Sequence, residues 1–262
     1  MRQSGWTNPG ADLKSPYSKS SFVALYDRVR PRPPRNLIRL LTQISGGRSP
    51  NLVVDLGSGT GLSTVAWSKH ADHVIGIESN PQMLARARRA ANVTYREASA
   101  DATGLKSNSA DVVTCSQAFH WMSPKSTIRE IARIMRRGAV FAAYDYALPP
   151  VIGPAVDAAF ASVLDWSRLS PRHPPVTKYL RNLRRSGRFR WVRDFAMESV
   201  DVGDSKRVIG LARSLGSVSF RLENARGRRT PDWTRFVRIT SRNIGSSRRQ
   251  FWWSYSVIVA VK

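Results

Sequence analysis

The run Leu52-Val53-Val54-Asp55-Leu56-Gly57-Ser58-Gly59-Thr60-Gly61 constrains this chain more than any other stretch. Its first five residues are almost uninterruptedly apolar, as in a parallel strand buried on both faces. Three glycines at alternate positions then permit a turn that a Cβ would obstruct, and they let backbone approach a ligand. The same alternation continues downstream. Strands are expected at Val74–Ile77, ending at Glu78, and at Val93–Arg96, Asp111–Cys115 and Ala139–Tyr146. Helices are expected between them: from the glycine turn to about Lys69, from Pro81 to about Ala91, and from Ser126 to Arg136, where Ile128, Ile131, Ala132 and Met135 share a face. Strands alternating with helices imply a doubly wound α/β sheet with right-handed crossovers. Ligands of such sheets sit beyond the carboxyl ends of the strands, where strand order reverses.

The flanks read less regularly. Residues 1–20, rich in Ser, Pro, Gly and Asn, read as a loose arm. Helices are expected at Phe22–Arg28, at Arg35–Ile44 and over residues 155–166, with a Pro/Arg stretch at Ser170–Pro175. Phe189–Phe195 and Phe251–Val261 supply a sixth and a seventh strand. No composition shift marks a linker. The expectation is therefore one domain over 1–262: an N-terminal arm and helices (1–45), a cofactor-binding core (46–147), then a lid insertion and C-terminal strands (148–262).

Charge is the oddity, at a formal +24. The excess is +10 over residues 1–150 and +14 over 151–262, so it is spread along the chain. Such a chain attracts nucleic acid non-specifically, but charge reports on association rather than on fold. One cysteine, Cys115, excludes an internal disulfide. No apolar run approaches the ~18 residues of a membrane helix. No membrane partner is expected, and a cytoplasmic location is. The four histidines His70, His73, His120 and His173 show no metal-ligand spacing with Cys115, so no metal is expected.

The glycine turn could hold a dinucleotide, but the G-x-G-x-x-G fingerprint fails because Leu62 stands at its third position. The pattern is instead Asp-x-Gly-x-Gly-x-Gly. An acid two residues before the first glycine repels a pyrophosphate and suits a cationic cofactor. S-adenosylmethionine carries an ammonium and a sulfonium, and Glu78 at the next strand end is placed to accept from ribose hydroxyls.

On these motifs the chain resembles the class I S-adenosylmethionine-dependent methyltransferases, type 11 domain. Val53–Gly61 looks like their cofactor loop, Val74–Glu78 like their second strand, and Ala100-Asp101-Ala102-Thr103-Gly104-Leu105 like their adenine-flanking loop. Tyr26–Pro34, Gln117-Ala118-Phe119-His120-Trp121 and Val208–Val218 resemble the small-molecule enzymes related to trans-aconitate methyltransferase. The sequence departs from that pattern at Val29 and Pro33, which replace aromatics, and at Gly104 and Lys106, which replace prolines. The resemblance implies a Rossmann-like, seven-stranded, mostly parallel sheet with flanking helices and a helical lid. It implies S-adenosyl-L-methionine as cofactor, held by Asp55, Gly57, Ser58, Gly59, Gly61, Glu78, Ala100, Asp101 and Gln117. It implies a small-molecule acceptor, a carboxylate being one option, bordered by Arg30, His120 and Trp121, with His120 as candidate base. Two rival readings stand beside it. One is an RNA methyltransferase, which the charge favours. The Ser116-Gln117-Ala118-Phe119 stretch speaks against it, because base-methylating enzymes carry an Asn/Asp-Pro-Pro-aromatic stretch there. The other is a non-enzymatic protein that keeps the fold.

Overall fold

The computed structural model describes residues 19–164, 176–225 and 230–262. The expected arm before residue 19, the Ser170–Pro175 stretch, His173 and the last residues of the helix expected over 155–166 lie outside them. Seven strands form one sheet: β1 Leu52–Leu56, β2 His73–Glu78, β3 Val93–Glu97, β4 Ala110–Ser116, β5 Met135–Tyr146, β6 Trp191–Gly203 and β7 Arg249–Val261. Their order is β3-β2-β1-β4-β5-β7-β6. The first five are parallel, while β7 runs antiparallel to both β5 and β6. Strand order reverses between β1 and β4, so the carboxyl ends of those two strands frame the crevice expected for a ligand.

The described helices are α1 Ser20–Val29, α2 Arg35–Ile44, α3 Pro81–Leu84, α4 Pro124–Ile134, α5 Pro154–Val163, α6 Val176–Arg185, α7 Ser205–Arg213, α8 Gly216–Asn224 and α9 Pro231–Asn243. They cover both faces of the sheet. On one face α2, α5, α7 and α9 pack Leu41, Phe160, Leu211 and Phe236 against Val53, Val112, Val140 and Trp253. On the other, α4 and α6 pack Ile131 and Leu183 against Val54, Val113, Phe141 and Ile258. Successive strand residues alternate between these faces. This alternation puts Cys115 and Asp145 on the α4/α6 side, and Tyr144 and Tyr146 on the other.

Three expected helices come out differently. The chain after the glycine turn forms only a 3-10 turn, Thr64–Trp67, where a helix to Lys69 is expected. The Ser63 and Thr64 hydroxyls both bond one Asp55 oxygen, and the backbone closes i→i+3 bonds such as Ala66 N–H to Ser63 C=O (3.2 Å). Thr64 and Val65 are β-branched, which weakens the α alternative. The helix expected over 81–91 ends at Leu84. Asn80 caps its start, accepting from the N–H groups of Gln82 and Met83, but Arg88 is then drawn away by its N–H bond to Thr60 C=O. The helix expected to reach Arg136 stops at Ile134, and β5 begins at once with Met135. The N–H groups of Asn108 and Ser109 take the carbonyls of Arg133 and Ile134, which satisfies the helix end from outside. The stretch Val208–Val218 is divided between α7 and α8.

Candidate functional site

Beyond Leu56 the loop runs through Gly57, Gly59 and Gly61 with φ of +67°, +55° and +78°. These are left-handed conformations that cost other residues roughly 1–2 kcal/mol each. The N–H groups of Gly57 and Ser58 bond Ile77 C=O at 2.8 and 3.0 Å, seating the loop on the end of β2. Each glycine admits a different neighbour. A Cβ on Gly57 would lie 2.5 Å from Ala118 Cβ, on Gly59 3.1 Å from Met83 Cε, and on Gly61 2.1 Å from the Tyr95 hydroxyl oxygen. That hydroxyl donates to Arg88 C=O (2.6 Å), and Arg88 N–H donates to Thr60 C=O (3.0 Å). Gly61, expected at the cofactor, is thus the place where Tyr95 packs into the loop.

Asp55 is fully buried. Its Oδ2 accepts from Ser63 Oγ (2.6 Å) and Thr64 Oγ1 (2.7 Å), and its Oδ1 from Thr114 Oγ1 (2.8 Å). Burial pushes its pKa up, and the three hydroxyls oppose that. Asp55, expected to hold the cofactor, is enclosed beneath the loop, and its bonds fix the loop's shape. Glu78 is more open. Its Oε2 accepts from Gly59 N–H (2.8 Å) and its Oε1 from Asn80 N–H (2.9 Å). Burial raises its pKa against these backbone bonds. A carboxylate has about four acceptor sites, so capacity is left for a diol.

Ala98 N–H donates to Glu78 C=O (3.1 Å), which brings the turn carrying Ala100 and Asp101 alongside Glu78. Asp101 is exposed and accepts from Ser99 and Ser126. The Ser99 bond, ahead of the others, holds its pKa below the usual carboxylate value. Gln117 sits at φ +53° at the end of β4, its N–H bonded to Tyr144 C=O at 3.0 Å. The fold therefore gathers Gly57, Ser58, Gly59, Glu78, Ala100, Asp101 and Gln117 along one edge, formed by the carboxyl ends of β1 to β4. The hydroxyls of Ser58 and Thr60 are buried in this loop without a hydrogen-bond partner among the described residues. Unpaired hydroxyls, left-handed backbone and a partly used carboxylate fit a nucleoside cofactor with ribose hydroxyls and a cationic tail.

The next edge, beyond β4 and β5, carries His120 and Trp121 in a 3-10 turn, Phe119–Trp121. Their ring centroids are 5.0 Å apart. The His120 side chain is buried, and its Nδ1 lies 3.9 Å from Asp145 Oδ2. Burial raises the Asp145 pKa to about 6, opposed by a bond from Gln117 N–H. The Tyr179 ring from α6 packs on Phe119 at 5.1 Å, and its hydroxyl is buried without a partner among the described residues. Asp145 and Tyr179 were not picked from the sequence. A charged residue closing an otherwise apolar central strand was a readable signal for Asp145; nothing local marked Tyr179.

Arg30, expected to line the acceptor, is instead a buried tie. Its Nε donates to Ser214 Oγ (2.9 Å), its Nη2 to Ser214 C=O (2.8 Å) and its Nη1 to the Tyr146 hydroxyl, and its guanidinium stacks 4.6 Å from the Tyr26 ring centroid. Tyr146 points to the opposite face from Asp145, so Arg30 and His120 are on different sides of β5. Among the described residues no group of three His, Cys, Asp or Glu could hold a metal ion, and no helix is long and apolar enough to cross a membrane.

Comparison with known proteins agrees with this geometry. Residues 54–143 match the family model described as a methyltransferase domain. An uncharacterized methyltransferase of Mycobacterium tuberculosis is 35% identical over 122 residues, 46% of this chain and 49% of the relative. A proposed S-adenosylmethionine-dependent methyltransferase of Saccharomyces cerevisiae is 28% identical over 148 residues, 53% of this chain and 50% of the relative. The chain thus spans about half the length of these curated relatives. Among solved structures, that of a proposed type II methyltransferase from Anaeromyxobacter dehalogenans matches with a TM-score of 0.67 at 24% identity, covering 88% of this chain and 96% of that one. Residues 54–143 thus match a methyltransferase domain, and the chain shares its seven-stranded Rossmann-like fold with a solved structure of that kind.

Proposed function

We propose that this chain transfers a methyl group from S-adenosyl-L-methionine to a small-molecule acceptor. The observation that carries this reading is the left-handed glycine loop bonded through Gly59 N–H to Glu78, with the Ser58 and Thr60 hydroxyls left unpaired. Glu78 would accept from the ribose hydroxyls, the Ala100–Asp101 turn would flank the adenine, and the Gly57–Gly59 backbone would carry the amino-acid tail. Bound S-adenosylmethionine supplies an already activated methyl group. The task left to the protein is orientation, which can lower a barrier by roughly 7–11 kcal/mol. The domain match and the relatives support methyl transfer. Kinship with the trans-aconitate-related enzymes rests on the Tyr26–Pro34, Gln117–Trp121 and Val208–Val218 stretches. Arg30, expected beside the acceptor, is engaged with Ser214 and so lends no support to the carboxylate option.

Calorimetry with S-adenosylmethionine tests the reading. Micromolar binding by the intact chain, weakened in Glu78→Ala, is expected together with release of S-adenosylhomocysteine when acceptors are supplied. A folded chain that gives no binding heat sinks it. The nucleic-acid alternative has only the +24 charge behind it. Such binding should collapse between about 50 and 200 mM salt without discriminating sequence, because it rests on counterion release.

A further inference from the structure

We infer that β6 is the pairing edge for a second copy of this chain. Two β6 strands run antiparallel about a two-fold axis at Met197 and join two seven-stranded sheets into one. The inference is independent of the methyl-transfer reading.

Three observations lead there. First, the edge is long and open. Among the described residues no strand lies beyond β6, which pairs β7 from Trp191 to Gly203 without a register shift. Trp252 exchanges both backbone bonds with Val151, on the side of β7 away from β6. Its β6 neighbour Val200, and every second residue from it, therefore turns N–H and C=O away from β7. Two of these outward carbonyls, Val192 and Val202, accept from the side chains of Arg184 and Arg207. They bound the open stretch Asp194–Val200, and both lie five residues from Met197. Edges of this length are commonly blunted by lysine, proline or a bulge, and β6 contains none of these. Second, the charges on β6 complement themselves in that register. With the axis at Met197, Arg193 faces Asp201 of the second copy, twice by symmetry. Moving the axis one residue sets Asp194 against Glu198, or Glu198 against itself, and like charges directly opposite are destabilising. Asp201 also bonds Arg207 within its own chain, but a carboxylate has room for a second donor. Third, Trp191, Val200 and Val202 are large apolar side chains left exposed on this strand. The same register sets Val202 against Val192 of the second copy and Trp191 against Gly203.

The contact is isologous, so each copy presents the same strand and the assembly closes at two. Asp194 meets Val200 of the second copy and Ala196 meets Glu198, and each such pair can exchange both backbone bonds. The +24 charge of each chain opposes the approach at long range, and salt screens that repulsion.

The test is sedimentation of the full chain at about 200 mM salt, where long-range repulsion is screened. Wild type should sediment as a dimer in the micromolar range; a chain still monomeric at about 100 µM overturns the inference. Ala196→Pro removes an outward N–H and leaves the β7 ladder intact, as edge prolines do. Dimer affinity should fall at least tenfold with an unchanged circular dichroism spectrum, and an undiminished dimer places the interface elsewhere. A second arm does not depend on how that variant folds. Arg193→Asp and Asp201→Arg chains should each be monomeric, and mixing them should restore the dimer, because both facing pairs are then of opposite sign. No dimer on mixing overturns the register. The axis itself is read by cross-linking. Met197 would face its own copy in a non-hydrogen-bonded pair, with Cα atoms about 4.5 Å apart, within disulfide reach. Met197→Cys should therefore oxidise to a covalent dimer and Ser199→Cys should not; the reverse overturns the axis. Slow amide exchange at Asp194–Val200 in a monomer would show that a segment of the same chain covers the edge, which also overturns the inference.

Discussion

Asp55 and Asp145 stand at the ends of two central strands of one sheet, and burial raises the pKa of both. Asp55 is wrapped by three hydroxyls from Ser63, Thr64 and Thr114 and is closed to anything else. Asp145 has a backbone amide and a histidine almost within bonding distance, and its side chain is 34% exposed. Position at a strand end does not separate a structural carboxylate from one poised for chemistry. Saturation of its hydrogen-bonding capacity does. The cofactor edge is a finished internal network whose remaining openings are two loop hydroxyls and part of Glu78. The edge beyond β4 and β5 is held by apolar packing, and the Tyr179 hydroxyl there has no partner among the described residues.

The strongest way to break this comparison is Asp55→Ala. It would leave three buried hydroxyls without their acceptor, so a loss of several kcal/mol is expected, at roughly 1–3 kcal/mol per stranded group. Chemical denaturation should show it, while Asp145→Asn should be at least as stable as wild type at neutral pH. Comparable losses in the two variants would mean the contrast is wrong.

Glu78→Ala comes next. It removes the acceptor for Gly59 N–H and for the proposed ribose hydroxyls, so S-adenosylmethionine affinity should fall by about 1–3 kcal/mol with a smaller loss of stability. Unaltered affinity by calorimetry would place the ribose elsewhere.

A pH comparison sharpens the contrast from a third side. Asp145 has its pKa raised from 3.8 to about 6, so the folded state holds that proton more tightly than the unfolded chain. Its contribution is present below the unfolded value and is lost as pH rises through about 6. Glu130 is the opposite case. Arg133 and Thr103 bond its carboxylate, and its pKa drops from 4.5 to about 2. Its contribution is present above 4.5 and is lost as pH falls toward 2. The stability advantage of Asp145→Asn over wild type should therefore grow between about pH 4 and 6. Glu130→Gln should cost stability at neutral pH and little near pH 2. Thermal melts across that range would measure both, and a flat Asp145→Asn difference contradicts the buried-carboxylate account.

The smallest effect belongs to Tyr179→Phe. Its hydroxyl has no partner among the described residues, so removing it should change stability by less than about 1 kcal/mol in either direction. If the hydroxyl borders the acceptor, KM should rise while cofactor affinity stays put. A large drop in melting temperature would reveal a partner for it.

The sequence by itself determined the strands, the glycine loop and Glu78, because each is written in adjacent residues. A buried parallel strand is a continuous apolar run, the left-handed turn needs glycine, and the acid follows its own strand; β1 spans the expected residues 52–56, and the other strands differ mainly at their ends. Where the reading went astray, a contact from elsewhere in the chain intervened. Asp55 tightened Ser63–Thr64 into a 3-10 turn, Thr60 drew Arg88 out of a helix, and Asn108–Ser109 closed α4 early. The site divides along the same line. Glu78 and the loop could be named, whereas Arg30's burial needed Ser214, 184 positions away, and the His120–Asp145 approach needed the β4–β5 register. Only the tertiary structure could decide these, because a side chain's role follows from which partners exhaust its hydrogen bonds, and those partners arrive through the packing of distant segments.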